Sequence, residues 1–189
     1  MQFLIIIPRF VPRSGDYFSF PLGLAYISAA LKKAGYAVEC LNLNDSPEPV
    51  DAIIAKTIAK KNIDCVLTGG LSIHYNLVKH VLRATKNAAP DVITIIGGGI
   101  IGSDPEFIFE ALCPTIGVLG EGDLTIVEVA DALANGKALG AVNGIIYRTD
   151  KGEISRTSPR EPVRDLDLLP WVDYEGLEVD KLVAPLPGG

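Results

Sequence analysis

Three glycine-containing turns are the part of this chain best suited to chemistry, and the chemistry they favour is the binding of a cofactor. They are Gly69-Gly70-Leu71-Ser72, Gly97-Gly98-Gly99-Ile100 and Gly120-Glu121-Gly122-Asp123, and each follows a short hydrophobic run. Glycine lets backbone N–H groups approach a ligand closely, and in an open parallel sheet such turns lie along one edge. Together they predict a binding surface for something large, flat or phosphorylated.

One of these turns formally contains a dinucleotide-binding pattern. Residues 97–102 match GxGxxG, and the acidic Glu121 follows downstream. In dinucleotide-binding proteins the pattern belongs to the first strand-to-helix turn, and its last glycine lies inside the helix. Here it follows the fourth predicted strand, and Ser103-Asp104-Pro105 predicts a helix that begins beyond Gly102. We therefore expect a close-approach loop for a different cofactor.

Polar side chains in the turns have two interpretations each. Glu121 is suited to accept hydrogen bonds from ligand amides or hydroxyls, whereas Asp123 and Thr125 are suited to cap the next helix. Ser72 is equally suited to bind a ligand or to cap the third helix. His74 lies at the mouth of the predicted site, where a lone histidine is more often structural than catalytic.

No recognisable set of catalytic or metal-binding residues accompanies the turns. His74 and His80 have no carboxylate or cysteine at a metal-ligand spacing. No Ser-His-Asp order, paired carboxylates or GxxxxGK[ST] loop stands out. We predict neither catalytic nor metal-ligating residues in this chain.

Composition narrows the class of protein. At 189 residues and 48% hydrophobic content, the chain is long enough for one well-filled α/β domain and a tail. Its net charge of −6 argues against a nucleic-acid partner, which favours a basic face. Cys40, Cys65 and Cys113 are too few and too far apart for a disulfide framework, which fits a reducing cytoplasm. No apolar run approaches the length of a membrane span.

Hydrophobic runs and helix-like segments alternate along the first 140 residues. Strands are predicted near residues 2–8, 37–43, 64–68, 92–96 and 116–119, with a helix after each. The helix after the fifth strand has a candidate capping box, Thr125 with Glu128. This alternation predicts a doubly wound parallel sheet with right-handed crossovers.

The pattern changes after residue 140. Two short β-like runs at residues 142–148 and 153–157 predict a β-hairpin. Residues 161–189 lack strong periodicity and end in prolines and glycines, which is typical of a linker. We therefore expect an α/β domain over residues 1–140, a hairpin extension over 141–160 and a linker over 161–189.

The combination of motifs resembles a known family. Its elements are the segment Pro21-Leu22-Gly23-Leu24-Ala25-Tyr26-Ile27 that opens the first helix, the three glycine turns, and Asp165-Leu166-Asp167-Leu168-Leu169-Pro170. In this order they resemble the N-terminal cobalamin-binding (B12-binding) domain of the B12-dependent radical SAM enzymes, a group that includes the anaerobic magnesium-protoporphyrin IX monomethyl ester cyclase.

The resemblance implies a fold and a site. The fold would be a flavodoxin-like, five-stranded parallel sheet of order 2-1-3-4-5, followed by the hairpin and linker. The corrin would lie over the carboxyl ends of the strands, with its nucleotide tail beside the sheet. The residues expected to bind cobalamin are Leu22, Gly23, Gly70, Leu71, Ser72, Ile73, Gly97, Gly98, Gly99, Gly120, Glu121 and Gly122.

Two departures from the family pattern shape the expected activity. The loop at residues 9–20 has no histidine, so we expect cobalt to have no protein imidazole below it. The chain also lacks the CxxxCxxC motif that holds a [4Fe–4S] cluster, so alone it should not cleave S-adenosylmethionine. We expect the cluster and S-adenosylmethionine in a following radical SAM domain of the parent enzyme, with CxxxCxxC shortly after residue 189.

Two alternatives remain at the level of sequence. A flavin- or nucleotide-binding domain of the same fold would place its phosphate loop within residues 9–20, which contain Ser14 and Gly15. A non-catalytic scaffold would use the glycines only as turns and would retain no ligand.

Overall fold

The computed structural model describes residues 1–11, 19–149 and 151–182, with the side chains described to residue 180. Its regular elements begin with a strand and alternate as the hydrophobic pattern predicts. In chain order they are β1 (Gln2–Ile7), α1 (Leu22–Lys33), β2 (Ala37–Asn42), α2 (Val50–Lys61), β3 (Cys65–Gly69), α3 (Tyr75–Ala88), β4 (Ile93–Gly97), α4 (Gly99–Gly102), α5 (Pro105–Leu112), β5 (Ile116–Val118), α6 (Asp123–Ala134), β6 (Ile145–Arg148), β7 (Ile154–Arg156) and α7 (Val179–Leu182).

The sheet has the order β2-β1-β3-β4-β5-β6-β7. Its first five strands are parallel and follow the predicted order 2-1-3-4-5, which confirms the doubly wound α/β class. The hairpin strands β6 and β7 are antiparallel and continue the same sheet beyond β5. The sheet is thus mixed and has seven strands, because the hairpin covers the edge of β5 that a five-stranded sheet would leave exposed.

Alternate residues of each strand bury against opposite layers of helices. On β1, Phe3 and Ile5 pack into the cluster formed with α1 and α6, whereas Leu4 and Ile6 pack against α2 and α3. A third cluster joins β4 and the hairpin to α3, α4 and α5. Because both faces of the sheet are covered, the inner strands β1, β3 and β4 are near-continuous apolar runs, as a parallel sheet requires.

The first residue of α5 agrees with the prediction from sequence, whereas that of α6 differs from it and α4 was not predicted. The Asp104 carboxylate caps α5 by accepting a hydrogen bond from Phe107 N at 3.3 Å, with Pro105 in the first turn as predicted. Residues 99–102 form an additional short helix, α4, which the sequence pattern did not predict.

The capping box predicted for α6 is absent. The helix begins at Asp123, three residues earlier than that box requires, and no side chain caps it. Thr125 lies inside the first turn and donates to the Glu121 carbonyl at 3.1 Å, while Glu128 pairs with Arg160. Both side chains also bond Arg160, which is distant in sequence, since its Nε donates to Thr125 Oγ1 at 2.7 Å and its guanidinium pairs with Glu128.

The segment after the hairpin is packed on the domain in part. Val172 and Leu177 are buried against Ile7 and Ala25. The Asp173 carboxylate accepts hydrogen bonds from Ser28 and from Lys32, the latter at 2.6 Å. Trp171 is 93% exposed. Residues 172–177 therefore form a strap docked on the domain. Residues 183–189 lie outside the described part.

None of the helices in the described part of the chain is both long and apolar enough to cross a membrane.

Candidate cofactor site

A cavity of about 770 Å³ opens at the carboxyl ends of β3, β4 and β5. It also extends down the sheet face that α1 and α6 cover, where Leu67, Ile95 and Val118 form its floor. The first residues of α1 and α6 border it on the other side. This is the edge at which open α/β sheets bind ligands, and it is where the glycine turns were expected to meet.

Glycines allow the turns after β3 and β4 to lie against each other. Gly69 and Gly97 are paired in the sheet, and a Cβ on Gly69 would lie 2.4 Å from the Gly97 carbonyl oxygen. Gly98 has a φ of +85°, and its Cβ would lie 2.9 Å from the Gly70 oxygen. That same Gly70 oxygen accepts a hydrogen bond from Ile100 N at 2.9 Å. Only glycine combines this backbone conformation with this close approach.

Nine of the twelve residues expected to bind cobalamin border the cavity. They come from four separate segments, which the fold brings together: Leu22, Gly23, Gly70, Leu71, Gly97, Gly98, Gly99, Gly120 and Gly122. That they contact cobalamin stays a prediction.

The other three expected residues lie outside the cavity wall. Ser72 Oγ is 3.4 Å from Ser103 Oγ and does not cap α3. Ile73 is 85% exposed. The Glu121 carboxylate turns to the segment after the hairpin, where it accepts a hydrogen bond from Val163 N at 2.7 Å.

Several cavity residues were not among the twelve expected to bind cobalamin. Phe10 and Phe20 enter the wall from the two described ends of the loop between β1 and α1. Asp123 supplies a carboxyl group to the cavity wall. Burial raises the pKa of this carboxyl, and the nearby charge of Glu121 adds to the rise, whereas a hydrogen bond from the Asp123 backbone N–H opposes it. Thr68 is buried beneath the turn and donates to the Ile6 carbonyl at 3.0 Å.

The loop after β1 is anchored by polar groups from the turn after β2. Asn44 Oδ1 accepts from Phe10 N at 2.6 Å, and its amide donates to the Pro8 carbonyl at 2.9 Å. The Arg9 guanidinium donates to three backbone carbonyls of residues 43, 46 and 48 at 2.7 to 2.9 Å. These bonds position Phe10 at the cavity. Residues 12–18 of the predicted phosphate loop, which include Ser14 and Gly15, lie outside the described residues.

His74 borders the cavity beside Phe10. Its Nδ1 accepts a hydrogen bond from Leu71 N at 3.2 Å, and the two aromatic rings have centroids 4.5 Å apart. The second histidine, His80, is on the outer side of α3, where its Nε2 lies 2.8 Å from Asp51. Over residues 1–11, 19–149 and 151–182, no group of three or more His, Cys, Asp or Glu side chains could hold a metal ion.

The chemistry of the cavity suits a large ligand with an apolar body and neutral polar arms. Its walls are mainly aliphatic and aromatic side chains and glycine backbone, with Asp123 and His74 among the few polar groups. Cβ positions on Gly23 and Gly120 would meet no atom within 4 Å, so the backbone borders open space at both. Backbone N–H and C=O groups pair well with amides and need no basic residues. These residues fit cobalamin, which carries amide arms around a corrin ring and a single phosphate.

Comparison with known proteins agrees with this chemistry. The B12 binding domain model matches residues 9–130, more than half of the chain. An uncharacterized methyltransferase of Pyrococcus horikoshii is 31% identical over 97% of this chain and 40% of its own length. The anaerobic magnesium-protoporphyrin IX monomethyl ester cyclase of Synechocystis is 28% identical over 78% of this chain and 30% of its own length. The chain thus spans well under half of these relatives.

A solved structure shares the fold. The radical S-adenosylmethionine methyltransferase TsrM from Kitasatospora setae, with cobalamin and a [4Fe–4S] cluster bound, superposes with a TM-score of 0.71 at 20% identity. The match covers 84% of this chain and 31% of TsrM. The family model and the Pyrococcus relative together establish the identity of the chain: it belongs to the B12 binding domain family, and it is a cobalamin-binding module similar to those of B12-dependent radical SAM enzymes.

Proposed function

We propose that this chain holds cobalamin in the cavity at the strand ends and presents it to a catalytic domain of a larger radical SAM enzyme. The observation that carries this proposal is the convergence of nine expected binding residues on one cavity, within the region that the B12 binding domain model matches. Bound cobalamin supplies a cobalt centre able to carry a methyl group. The protein residues supply binding and orientation.

The role of each wall follows from its chemistry. The glycine turns after β3, β4 and β5 offer backbone N–H and C=O groups to the amide arms of the corrin. The nucleotide tail would lie on the apolar floor beside α1 and α6, because Leu67, Ile95 and Val118 line the cavity there. Expulsion of water from this floor favours binding.

Two observations support a larger enzyme: the share of its relatives' length that this chain spans, and the lack of a CxxxCxxC motif in its sequence. The chain spans 40% of the Pyrococcus methyltransferase and 31% of TsrM. It has only three cysteines, none in a CxxxCxxC motif. We propose that the [4Fe–4S] cluster and S-adenosylmethionine are bound by a radical SAM domain that follows residues 161–189, with methyl transfer or cyclase chemistry performed there.

The domain bounds, the cellular location and the absence of a nucleic-acid partner are also proposals. We propose residues 1–140 as the cobalamin-binding unit, 141–160 as its hairpin extension and 161–189 as the connection. A cytoplasmic location is supported by three unpaired cysteines. The net charge of −6 supports the absence of a nucleic-acid partner.

Ligand retention by a steric variant tests the cavity. The 189-residue chain is mixed with aquocobalamin, or with FMN as the competing cofactor, and desalted. We expect cobalamin colour and no flavin colour to be retained. In Gly23→Phe the new ring would project into the cavity mouth, because a Cβ there has open space, and affinity should fall about tenfold or more.

A matched control separates blocking from unfolding. Gly102 also has open space at its Cβ but lies outside the cavity, so Gly102→Phe should bind cobalamin like the wild type. Equal retention by both variants would contradict the proposed location of the site. Retention of FMN alone would contradict the proposed cofactor.

A further inference from the structure

The imidazole of His74 has a defined proton position. Its Nδ1 lies 3.2 Å from the backbone N of Leu71, and a backbone amide can only donate. Nδ1 is therefore the acceptor, and in the neutral ring the proton resides on Nε2. Among the described residues, Nε2 has no hydrogen-bond partner.

The ring is held from two further sides. Phe10 packs against it with ring centroids 4.5 Å apart and an interplanar angle of 42°. Gly70 leaves room for it, since a Cβ at that position would lie 2.7 Å from Nδ1. Phe10 is itself anchored through its backbone N–H to Asn44. His74 is thus a side chain of the cavity wall with a fixed orientation, and its Nε2–H donor has no partner among the described residues.

We propose that His74 donates a hydrogen bond from Nε2 to an acceptor oxygen of the bound cobalamin, and that it does not ligate cobalt. This inference rests on the proposed function. A metal ligand needs a nitrogen lone pair, and the Nε2 lone pair is used by its proton while that of Nδ1 faces Leu71 N–H. Moving the proton to Nδ1 would set two N–H groups against each other at the rim of the cavity.

Three substitutions separate the two nitrogens. In His74→Asn the amide oxygen lies near the position of Nδ1 and keeps an acceptor for Leu71, but nothing replaces Nε2. In His74→Gln the amide nitrogen reaches the region of Nε2 and keeps a donor. His74→Ala removes both. Thermal unfolding of each apo variant checks that the fold is retained.

Affinity for cobalamin is the first readout, measured by absorbance titration. We expect His74→Asn and His74→Ala to bind roughly tenfold more weakly than the wild type, as loss of one hydrogen bond predicts, and His74→Gln to stay within about threefold. Cobinamide, which lacks the phosphate and nucleotide base, identifies the acceptor. If the tenfold effect persists with cobinamide, the acceptor is a corrin amide; if it disappears, the acceptor is in the phosphate-containing tail.

The electron paramagnetic resonance spectrum of bound cob(II)inamide is the second readout. With no nucleotide base present, nitrogen splitting of the cobalt lines can come only from the protein. We expect none from wild type or His74→Ala. A three-line splitting that His74→Ala abolishes, or equal cobalamin affinity of His74→Asn and wild type, would overturn the inference alone. Failure of the wild type to bind cobalamin would overturn the proposed function and this inference with it.

Discussion

Glu121 Oε2 accepts a hydrogen bond from the backbone N of Val163 at 2.7 Å, although 42 residues separate the two in sequence. Arg160 reinforces this junction, since its Nε donates to Thr125 Oγ1 at 2.7 Å and its guanidinium pairs with Glu128. The turn that borders the cavity through Gly120 and Gly122 is therefore tied to the segment after the hairpin. Glu121 links the site to the chain that leaves it.

Removing this link should loosen the segment without emptying the site. We expect Glu121→Ala to change cobalamin affinity by less than about threefold, because the carboxylate is directed away from the cavity. Limited proteolysis should cut near residues 158–170 faster than in the wild type. The exposed Glu161 has the same charge, so Glu161→Ala is the control. A tenfold loss of affinity in Glu121→Ala alone would place the carboxylate on the ligand instead.

The conformation of Gly98 should be costly to change. Alanine there must adopt a φ of +85° with its Cβ 2.9 Å from the Gly70 oxygen, so we expect Gly98→Ala to lower the free energy of unfolding by about 1–3 kcal/mol. Gly102→Ala, with open space and no positive φ, should be neutral or slightly stabilising. Urea unfolding monitored by circular dichroism measures both. Equal stability of the two variants would contradict the close approach of the turns.

The docked strap should depend on the charge of Asp173. Burial by itself would raise the pKa of this carboxyl, but hydrogen bonds from Lys32, Ser28 and the Gly176 N–H outweigh it and hold the pKa below its usual value. A depressed carboxyl pKa stabilises the folded state above the pKa of the unfolded chain, and that stabilisation is lost as the pH falls through the folded pKa. The strap should therefore stay docked at pH 5 and release only in stronger acid.

Hydrogen exchange measures the same contact directly. The Asp173 N–H donates to the Ala25 carbonyl at 3.3 Å, so its protection reports docking. In Asp173→Asn we expect that protection to fall about tenfold or more at neutral pH, because hydrogen bonds to a charged group are lost. Glu175→Gln removes an exposed charge from the same segment and should leave protection unchanged. Unaltered exchange in Asp173→Asn would show that Val172 and Leu177 suffice.

The three thiols should differ sharply in reactivity. Burial is the main cause that raises the pKa of Cys40 to about 11 and that of Cys65 to about 12, whereas Cys113 is exposed at the end of α5. Because the thiolate is the reactive form, a disulfide reagent at pH 8 should modify one thiol quickly in the native protein and three in denaturant. Cys113→Ser should abolish the fast phase. A second fast thiol would contradict the burial that raises the pKa of Cys40 and of Cys65.

Local patterns in the sequence were sufficient for most of the elements and for part of the site. Apolar positions at helical spacing predicted the helices now found over Val50–Lys61 and Tyr75–Ala88, and strand-like runs predicted the parallel strands, whose order 2-1-3-4-5 was implied by the family resemblance. The glycine turns were recognisable because a turn at a strand end needs glycine for a local reason. Since parallel strands all end at one edge, the meeting of these turns followed from topology alone.

What the tertiary structure decided is the identity of partners that lie far apart in the chain. The hairpin was predicted, but only pairing with β5 made it part of the sheet. Glu121 was expected to face a ligand and instead bonds Val163, and Thr125 was expected to cap α6 and instead meets Arg160. A carboxylate or hydroxyl forms hydrogen bonds with any donor that lies within about 3 Å. Which donor lies there depends on the packing of the whole chain. Residue type and spacing therefore show that a side chain is able to form a hydrogen bond, whereas only the tertiary structure determines its partner.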